Sequence, residues 1–334
     1  MASWYLETDK LNDIVVSSRV RLARNVAGMP FPSRMNDEMF ASLKSNVKTA
    51  LEQVALKGIN LRFIEMNNVP ENEIGAMVER HVISPDFAQN CNNRAIAISD
   101  DESISIMVGE EDHIRIQVIV AGFNLEKAYD TADMIDTAIG NVLGFAFDEK
   151  LGYLTECPTN IGTGLRASVM LHLPVCESKG AVASIAEAAG KIGLTVRGMY
   201  GEGSKAKASL YQVSNQITLG ISEKNAIENL NVIAGQIIER EKQGRSMIER
   251  IELEDSVMRA YGTLKYAKLM DTEEFMQLIS LIKLGMNEGI INNDKLSPMR
   301  LLIEAQPFML MKKYSTATPK ERDEIRARMV GEFL

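Results

Sequence analysis

RAIAISDDESISIMVGEEDHIRIQVIV, residues 94–120, decides what kind of fold this chain can adopt. Three segments in it, RAIAIS (94–99), SISIMV (103–108) and HIRIQVIV (113–120), alternate apolar and polar residues with a period of two, the pattern of a β-strand. The first two are joined only by Asp100, Asp101 and Glu102, a connection short enough to permit only an antiparallel pair. Between the second and third lie Glu110, Glu111 and Asp112, and Arg115 comes next within the strand. Acids at the mouth of a strand with a cation close by suggest a place where groups of both signs are handled.

Upstream, IVVSSRVRLARN (14–25) reads as another strand, with Arg19 and Arg21 on one face and Val20 and Leu22 on the other. Two arginines on one face fit a solvated strand surface and a phosphate fork equally well. Apolar spacing predicts a helix over 37–56, a strand over 61–66 and a short helix over 71–81 ending near His81. Downstream, a helix is expected from Asn124 as N-cap through Val142, and another over 181–192. LYQVSNQ (210–216) and ITLGIS (217–222) again alternate as strands. Antiparallel strands interrupted by helices indicate an α+β fold with a central sheet.

From Ser222 onward only helices are expected: 222–243, 247–268, 271–285, 297–313 and 318–331, with breaks at Gly244, Gly289, Pro298 and Pro319. The expected division is an α+β domain over 1–244 and an all-α domain over 245–334.

The chain has 334 residues, 46% hydrophobic and 25% charged, ordinary for a globular protein with a substantial core. No apolar run approaches the ~20 residues needed to span a bilayer, and MASWYLETDK is not a secretory signal. Three widely spaced cysteines, Cys91, Cys157 and Cys176, form neither a disulfide framework nor a CxxC metal site, so no metal ligand is assigned. The expectation is a reduced, cytoplasmic protein. A net charge of -8 argues against nucleic-acid binding by bulk charge.

GTGLRA (162–167) matches a dinucleotide pattern, but RASVMLHLP (166–174) alternates like a strand, whereas that fingerprint needs a helix there. A glycine-rich turn presenting its amides to an anion stays open. There is no GxxxxGK[ST] loop. Arginine recurs at the rim of strand after strand: Arg19, Arg21, Arg115, Arg166 and Arg197. Opposite stand Glu110, Glu111, Asp112 and, in GMYGEGS, Glu202. Arginines suit a polyphosphate and carboxylates suit a cation, which together suggest phosphoryl transfer to a basic acceptor. Surface salt bridges account for the same residues equally well.

SSRVRLARN, EEDHIRIQ, CPTNIGTGLRASV and RGMYGE, in this order, resemble the phosphagen (ATP:guanidino) kinases, the family of arginine and creatine kinase. The resemblance covers about residues 14–243 and implies an antiparallel sheet flanked by helices that binds ATP and Mg2+. It implies nucleotide contacts from SSRVR (Ser17, Ser18, Arg19, Val20, Arg21), His81, Arg115, RASVM (Arg166, Ala167, Ser168, Val169, Met170) and RGMYGE (Arg197, Gly198, Met199, Tyr200, Gly201, Glu202). It further implies that Glu111 and Glu202 bracket the guanidinium, with Cys157 as the reactive cysteine beside it. A protonated guanidinium is a poor nucleophile, and carboxylates on its N–H groups can orient it and accept a proton as the N–P bond forms.

Departures narrow the resemblance. SSRVR begins sixteen residues into the chain, where arginine kinases carry a preceding helical domain that grips the free amino acid; Tyr200 replaces a further arginine; and a helical C-terminal region is added. That pattern is similar to the bacterial protein-arginine kinases of the McsB type. RDEIRA (322–327) resembles their phosphoarginine-binding motif, implying roles for Arg322, Asp323, Arg326 and Ala327, although a charged helix face would look the same. The implied function is transfer of the γ-phosphoryl of MgATP to protein arginine. The implied partners are a Clp-type AAA+ protease and a zinc-binding activator protein, and the apolar helix faces could also form a homodimer. The alternatives are a kinase for free arginine or another small guanidino compound, and a non-catalytic phosphoarginine-binding adaptor.

Overall fold

The computed structural model describes residues 3–6, 14–54, 56, 58–199, 207–293, 295–315 and 318–334. Among the described residues the strands are β1 (Val15–Arg24), β2 (Leu61–Glu65), β3 (Ala95–Ser99), β4 (Ile104–Val108), β5 (Ile114–Ala121), β6 (Phe147–Asp148), β7 (Gly152–Tyr153), β8 (Leu165–His172), β9 (Leu194–Gly198) and β10 (Leu210–Asn215). Eight of them make one antiparallel sheet in the order β2-β3-β4-β5-β1-β8-β10-β9, and β6 and β7 pair separately. The expected hairpin is there: β3 and β4 pair with Ala97 opposite Ile106. Its turn is held by Asp101, whose Oδ1 accepts from the Ser99 and Ser103 hydroxyls at 2.6 and 2.8 Å.

The period-two alternation sorts side chains onto two faces. One face, with Val20, Leu22, Ile106, Ile114, Ile116, Ala167, Val169 and Val213, forms the main core. The long helices α4 (Leu125–Leu143) and α7 (Glu223–Ser246) are among those that cover this face, α4 burying Ala128, Ala132, Ile135 and Ile139 at helical spacing. Earlier helices are α1 (Asp37–Gln53), α2 (Glu71–Glu79) and α3 (Pro85–Gln89); between α4 and α7 come α5 (Pro174–Ser178) and α6 (Val182–Gly190).

The second face is covered at its two ends and open between them. At the β3–β4 end, Ile96, Ile98 and Met107 pack under Met77, Val82 and Phe87 of the 71–89 segment. Elsewhere Val16, Ile119 and Leu210 share a cluster with helices near the C-terminus. These are α8 (Arg250–Tyr266), α9 (Thr272–Asn287), α10 (Pro298–Glu304), α11 (Pro307–Tyr314) and α12 (Pro319–Phe333). No helix among the described residues is long and apolar enough to cross a membrane.

Several local expectations are corrected. ITLGIS is not a strand: Ile217 and Leu219 are half exposed and no neighbouring strand pairs with them. The helix expected over 297–313 is two, because Pro307 cannot donate the backbone bond its position requires and begins α11 afresh. Gly244 is no break; it lies in the last turn of α7, where a Cβ would come within 2.9 Å of Val175. Asn124 takes the N-cap position without capping through its side chain, which donates to the Ala121 carbonyl.

Candidate active site

The open middle of the second face is a pocket lined by Arg19, Arg21, Arg115, Arg166 and Arg197, with His81, Glu111, Cys157 and Asn160 around its rim. Strand register brings the arginines together. Arg19 lies opposite Ser168 and Arg21 opposite Arg166 across β1 and β8, while Arg115 projects from the same face of β5. Two guanidinium groups facing each other across a ladder repel.

The consequences show in the titration behaviour. Burial, then the neighbouring Arg166 and Arg115, push the Arg19 pKa down to about 10. Burial, Arg19, Arg115 and Arg166 hold Arg21 well below its ordinary value, Glu110 pulling weakly the other way. The buried Nε of Arg21 has no hydrogen-bond partner. His81, in a left-handed conformation after α2, is pushed down to about 3, by burial first and then by Arg19, and so stays neutral. Its ring lies 6.2 Å from that of Trp4. Among the described residues, Arg19 and Arg21 are thus cations destabilised by burial and by their like-charged neighbours, an arrangement that an anion would relieve.

The three adjacent acids divide into different roles. The Glu110 carboxylate is buried, ion-paired with Arg115 and accepting from the Ser84 hydroxyl. Asp112 is also buried: its Oδ1 accepts from Asn25 at 2.7 Å and from the Glu156 amide at 2.8 Å. Next to it, His113 accepts the Val26 amide on Nδ1, so Nε2 carries the proton it donates to the Pro30 carbonyl. Only Glu111 presents its carboxylate to the pocket, 3.7 Å from Arg115 and 3.5 Å from the Asn160 amide nitrogen. Burial raises its pKa, against Arg115 and a hydrogen bond with Cys157, which improves it as a proton acceptor near neutral pH. The Cys157 sulfur sits 3.0 Å from the Thr159 hydroxyl.

Not every residue expected at the nucleotide reaches it. Ser18, Val20, Ala167 and Val169 fall on the opposite face by strand alternation. Val20, Ala167 and Val169 are in the main core, and the Ser18 hydroxyl donates to Gly122 O and accepts from the Asn124 amide. Ser17, Ser168 and Met170 line a small apolar cavity that shares Arg19, His81, Met199 and Gln212 with the pocket, so Met199 does reach it, and Gly198 ends β9 beside them. Tyr200, Gly201 and Glu202 lie outside the described residues. The glycine turn does not offer its amides to an anion, because they donate within the protein: Gly162 to Tyr153 O, Thr163 to Thr218 O, Gly164 to Asn160 O. Gly162, at φ +111°, is required there, since a Cβ would meet Thr218 O at 2.2 Å.

In RDEIRA, Arg322 and Asp323 are partly exposed, whereas Arg326 and Ala327 are buried. Arg326 donates to Met270 O and to Asp323 at 2.8 and 2.7 Å, and to Ala305 O at 2.8 Å, so its guanidinium ties α12 to the segments before α9 and after α10. This corrects the expectation that both arginines are free to hold a phosphoryl group.

Arg24 and Gln117 were not singled out in the sequence. Gln117 lines the pocket and donates to the His81 carbonyl at 2.8 Å. Arg24 is a cation of the other face: it pairs with Asp136 on α4 at 2.9 Å and stacks 3.5 Å over the Tyr153 ring. Its even position in β1, in register with Val20 and Leu22, is the signal that separates it from Arg19 and Arg21. Among the described residues no group of three or more His, Cys, Asp or Glu side chains is placed to hold a metal ion.

Comparison with known proteins identifies the family. The family model "ATP:guanido phosphotransferase, C-terminal catalytic domain" matches residues 42–244, and "Protein-arginine kinase McsB C-terminal domain" matches residues 250–334. A protein-arginine kinase of Caldanaerobacter subterraneus subsp. tengcongensis is 44% identical over 98% of both chains. One of Clostridium acetobutylicum is 43% identical over 100% of both. The duplicated taurocyamine kinase of Schistosoma mansoni, solved with transition-state-analogue components, superposes with a TM-score of 0.63 at 29% identity. That match covers 69% of this chain and 33% of the longer, duplicated one. Lombricine kinase shares the fold at a TM-score of 0.62 and 23% identity, covering 75% of this chain and 73% of its own. An arginine-lined pocket with the Glu111 carboxylate at its rim, on a sheet shared with guanidino kinases and joined to this C-terminal region, goes with these matches, which place the chain in the ATP:guanido phosphotransferase family, among the protein-arginine kinases.

Proposed function

We propose that the chain transfers the γ-phosphoryl group of MgATP to arginine side chains of proteins. The observation that carries this is the pairing, in one pocket, of five arginines with the outward-facing carboxylate of Glu111. Arg19, Arg21, Arg115, Arg166 and Arg197 would hold the triphosphate, the repulsion among them being relieved by its charge. Mg2+, carried by the phosphate oxygens, would help neutralise the charge on the transferring group. Glu111 orients the acceptor guanidinium and takes one of its protons as the N–P bond forms and the bond from γ-phosphorus to the bridging oxygen of ADP breaks. Glu202 is proposed as the second carboxylate and Cys157 as an accessory beside the guanidinium. Neutral His81, against Trp4, is proposed to contact the base.

The proposed division of labour is a catalytic domain over 1–244 and a helical domain over 245–334. In the latter, Arg322 and Asp323 are proposed to contact phosphoarginine, with Arg326 and Ala327 supporting them from within. Marked proteins would pass to a Clp-type AAA+ protease, and a zinc-binding activator would assist the kinase in the cytoplasm. Ile251, Met258 and Tyr266, all exposed on α8, support a homodimer, which light scattering would test.

Incubation with ATP, a protein substrate and, separately, free arginine distinguishes the readings. Acid-labile phosphate on the protein is expected; label on free arginine alone would refute the proposal. Label on neither would favour an adaptor. Arg322→Ala is expected to weaken binding of phosphoarginine peptides at least several-fold, and unchanged affinity would remove the motif from the site.

A further inference from the structure

Beside the arginine pocket runs a second, more open groove of about 590 Å³, lined among others by Ser33, Phe40, Asn92, Gly109 and Glu156. It shares Asp86, Glu111 and Cys157 with the pocket, so the two meet at the carboxylate proposed to take the acceptor guanidinium. Anything attached to that guanidinium on the solvent side lies next to this groove.

The groove is acidic, and its one arginine is already committed. Arg94 donates from Nε to Gly109 O at 3.0 Å and from Nη1 to Asp86 O and Phe87 O at 2.8 and 2.6 Å. It therefore binds the walls together and offers little to a ligand. Glu110, at the inner wall, is neutralised by Arg115. Glu156 is partly exposed, its carboxylate accepting from the Ser33 amide at 3.3 Å, and Asp86 is exposed. The floor is built for close approach: Gly109 has φ +82°, and a Cβ there would press on Asn93 O and the Phe40 ring at 3.3 Å.

We propose that this groove receives the substrate polypeptide beside its acceptor arginine and selects for lysine or arginine close to that residue. This rests on the protein-arginine kinase reading. The occupant is argued from continuity with the catalytic carboxylate and from charge: Asp86 and Glu156 attract a basic flank and repel an acidic one.

The test uses short peptides in which one arginine is flanked by lysine, alanine or glutamate, with the full-length kinase and MgATP. The expected kcat/KM falls from lysine to alanine to glutamate, by about tenfold between the extremes, the sum of one partly exposed attraction gained and one repulsion avoided. Raising the salt should compress that range. Glu156→Lys, which leaves Asp86 opposed by a cation, is expected to abolish the preference, with the alanine peptide and the nucleotide-induced thermal shift little changed. Asn92→Lys, on an exposed turn across the groove, should narrow the preference for lysine even if the first variant folds poorly. Equal rates for all three peptides with the wild-type kinase would overturn the proposal, as would a spread of rates as wide as the wild type's in both variants. Phosphorylation of none of the peptides, nor of an intact protein, would instead overturn the reading beneath it.

Discussion

Arg21 offers a sharp test, because its role in the pocket and its effect on stability have opposite signs. It sits at the centre of β1, facing Arg166, with a buried Nε that has no partner. A cation whose pKa is lower folded than unfolded costs stability at every pH below its folded value. Arg21→Met keeps the length of the side chain and removes the charge. Removing one like-charge cross-strand pair and one poorly compensated buried cation should stabilise the ligand-free protein by about 2 kcal/mol. For a chain of 334 residues, the unfolding entropy near ~2 cal/mol/K per residue turns this into a rise in Tm of about 3 °C. The same change removes charge-assisted hydrogen bonds to the triphosphate, costing about 3 kcal/mol, or roughly 100-fold in nucleotide affinity. At a concentration ~100 times the wild-type Kd, nucleotide stabilises the wild type by about 2.7 kcal/mol and the variant by only about 0.4 kcal/mol. Melting curves with and without MgATP should therefore start about 3 °C apart, variant higher, and converge when nucleotide is added. A variant that melts several degrees lower without nucleotide, or shifts as much as wild type with it, would refute the view of Arg21 as an unsatisfied anion ligand.

Three further outcomes are expected. Glu111→Gln should lower kcat by about 10²–10⁴ while leaving nucleotide affinity within a few-fold, checked by single-turnover phosphorylation and by calorimetry. Glu79, whose carboxylate accepts the Phe308 and Met309 amides at the start of α11, is pushed up to about 7 by burial, which outweighs those amides. Since folding raises this acid's pKa, its contribution is full below the unfolded value near 4.5 and is lost as pH rises through about 7, an effect of at most about 3 kcal/mol. Urea unfolding from pH 5 to 8 should show that loss, and Glu79→Gln should flatten it. Gly75→Ala puts a Cβ 2.2 Å from the Phe308 ring, so despite a better helix propensity it should destabilise by about 1–3 kcal/mol; a gain in urea midpoint would contradict the docking of α11 on α2.

The pocket face was legible in the sequence because strands carry their own address: period two alone puts Arg19 with Arg21 and sends Val20 and Leu22 to the core. The same rule, applied strictly, would have excluded Ser18, Val20, Ala167 and Val169 as side-chain ligands, and it assigns Arg24 to the helix side. What it does not supply is the partner. Arg24 is structural because Asp136, 112 residues away, meets it at 2.9 Å. Arg326 is structural because two backbone carbonyls from distant turns converge on it. Glu110 and Glu111 are adjacent and chemically alike, yet a buried ion pair to Arg115 and the Ser84 hydroxyl takes the first and leaves the second at the rim. In each case a charged side chain became structure because the fold brought it partners, far off in the chain for Arg24 and Arg326 and nearer for Glu110. The charges that the fold left under-compensated, Arg19 and Arg21, mark where a ligand must complete the electrostatics. Local pattern therefore finds the face on which chemistry can occur, and the balance of charge in three dimensions decides which residues on it are available.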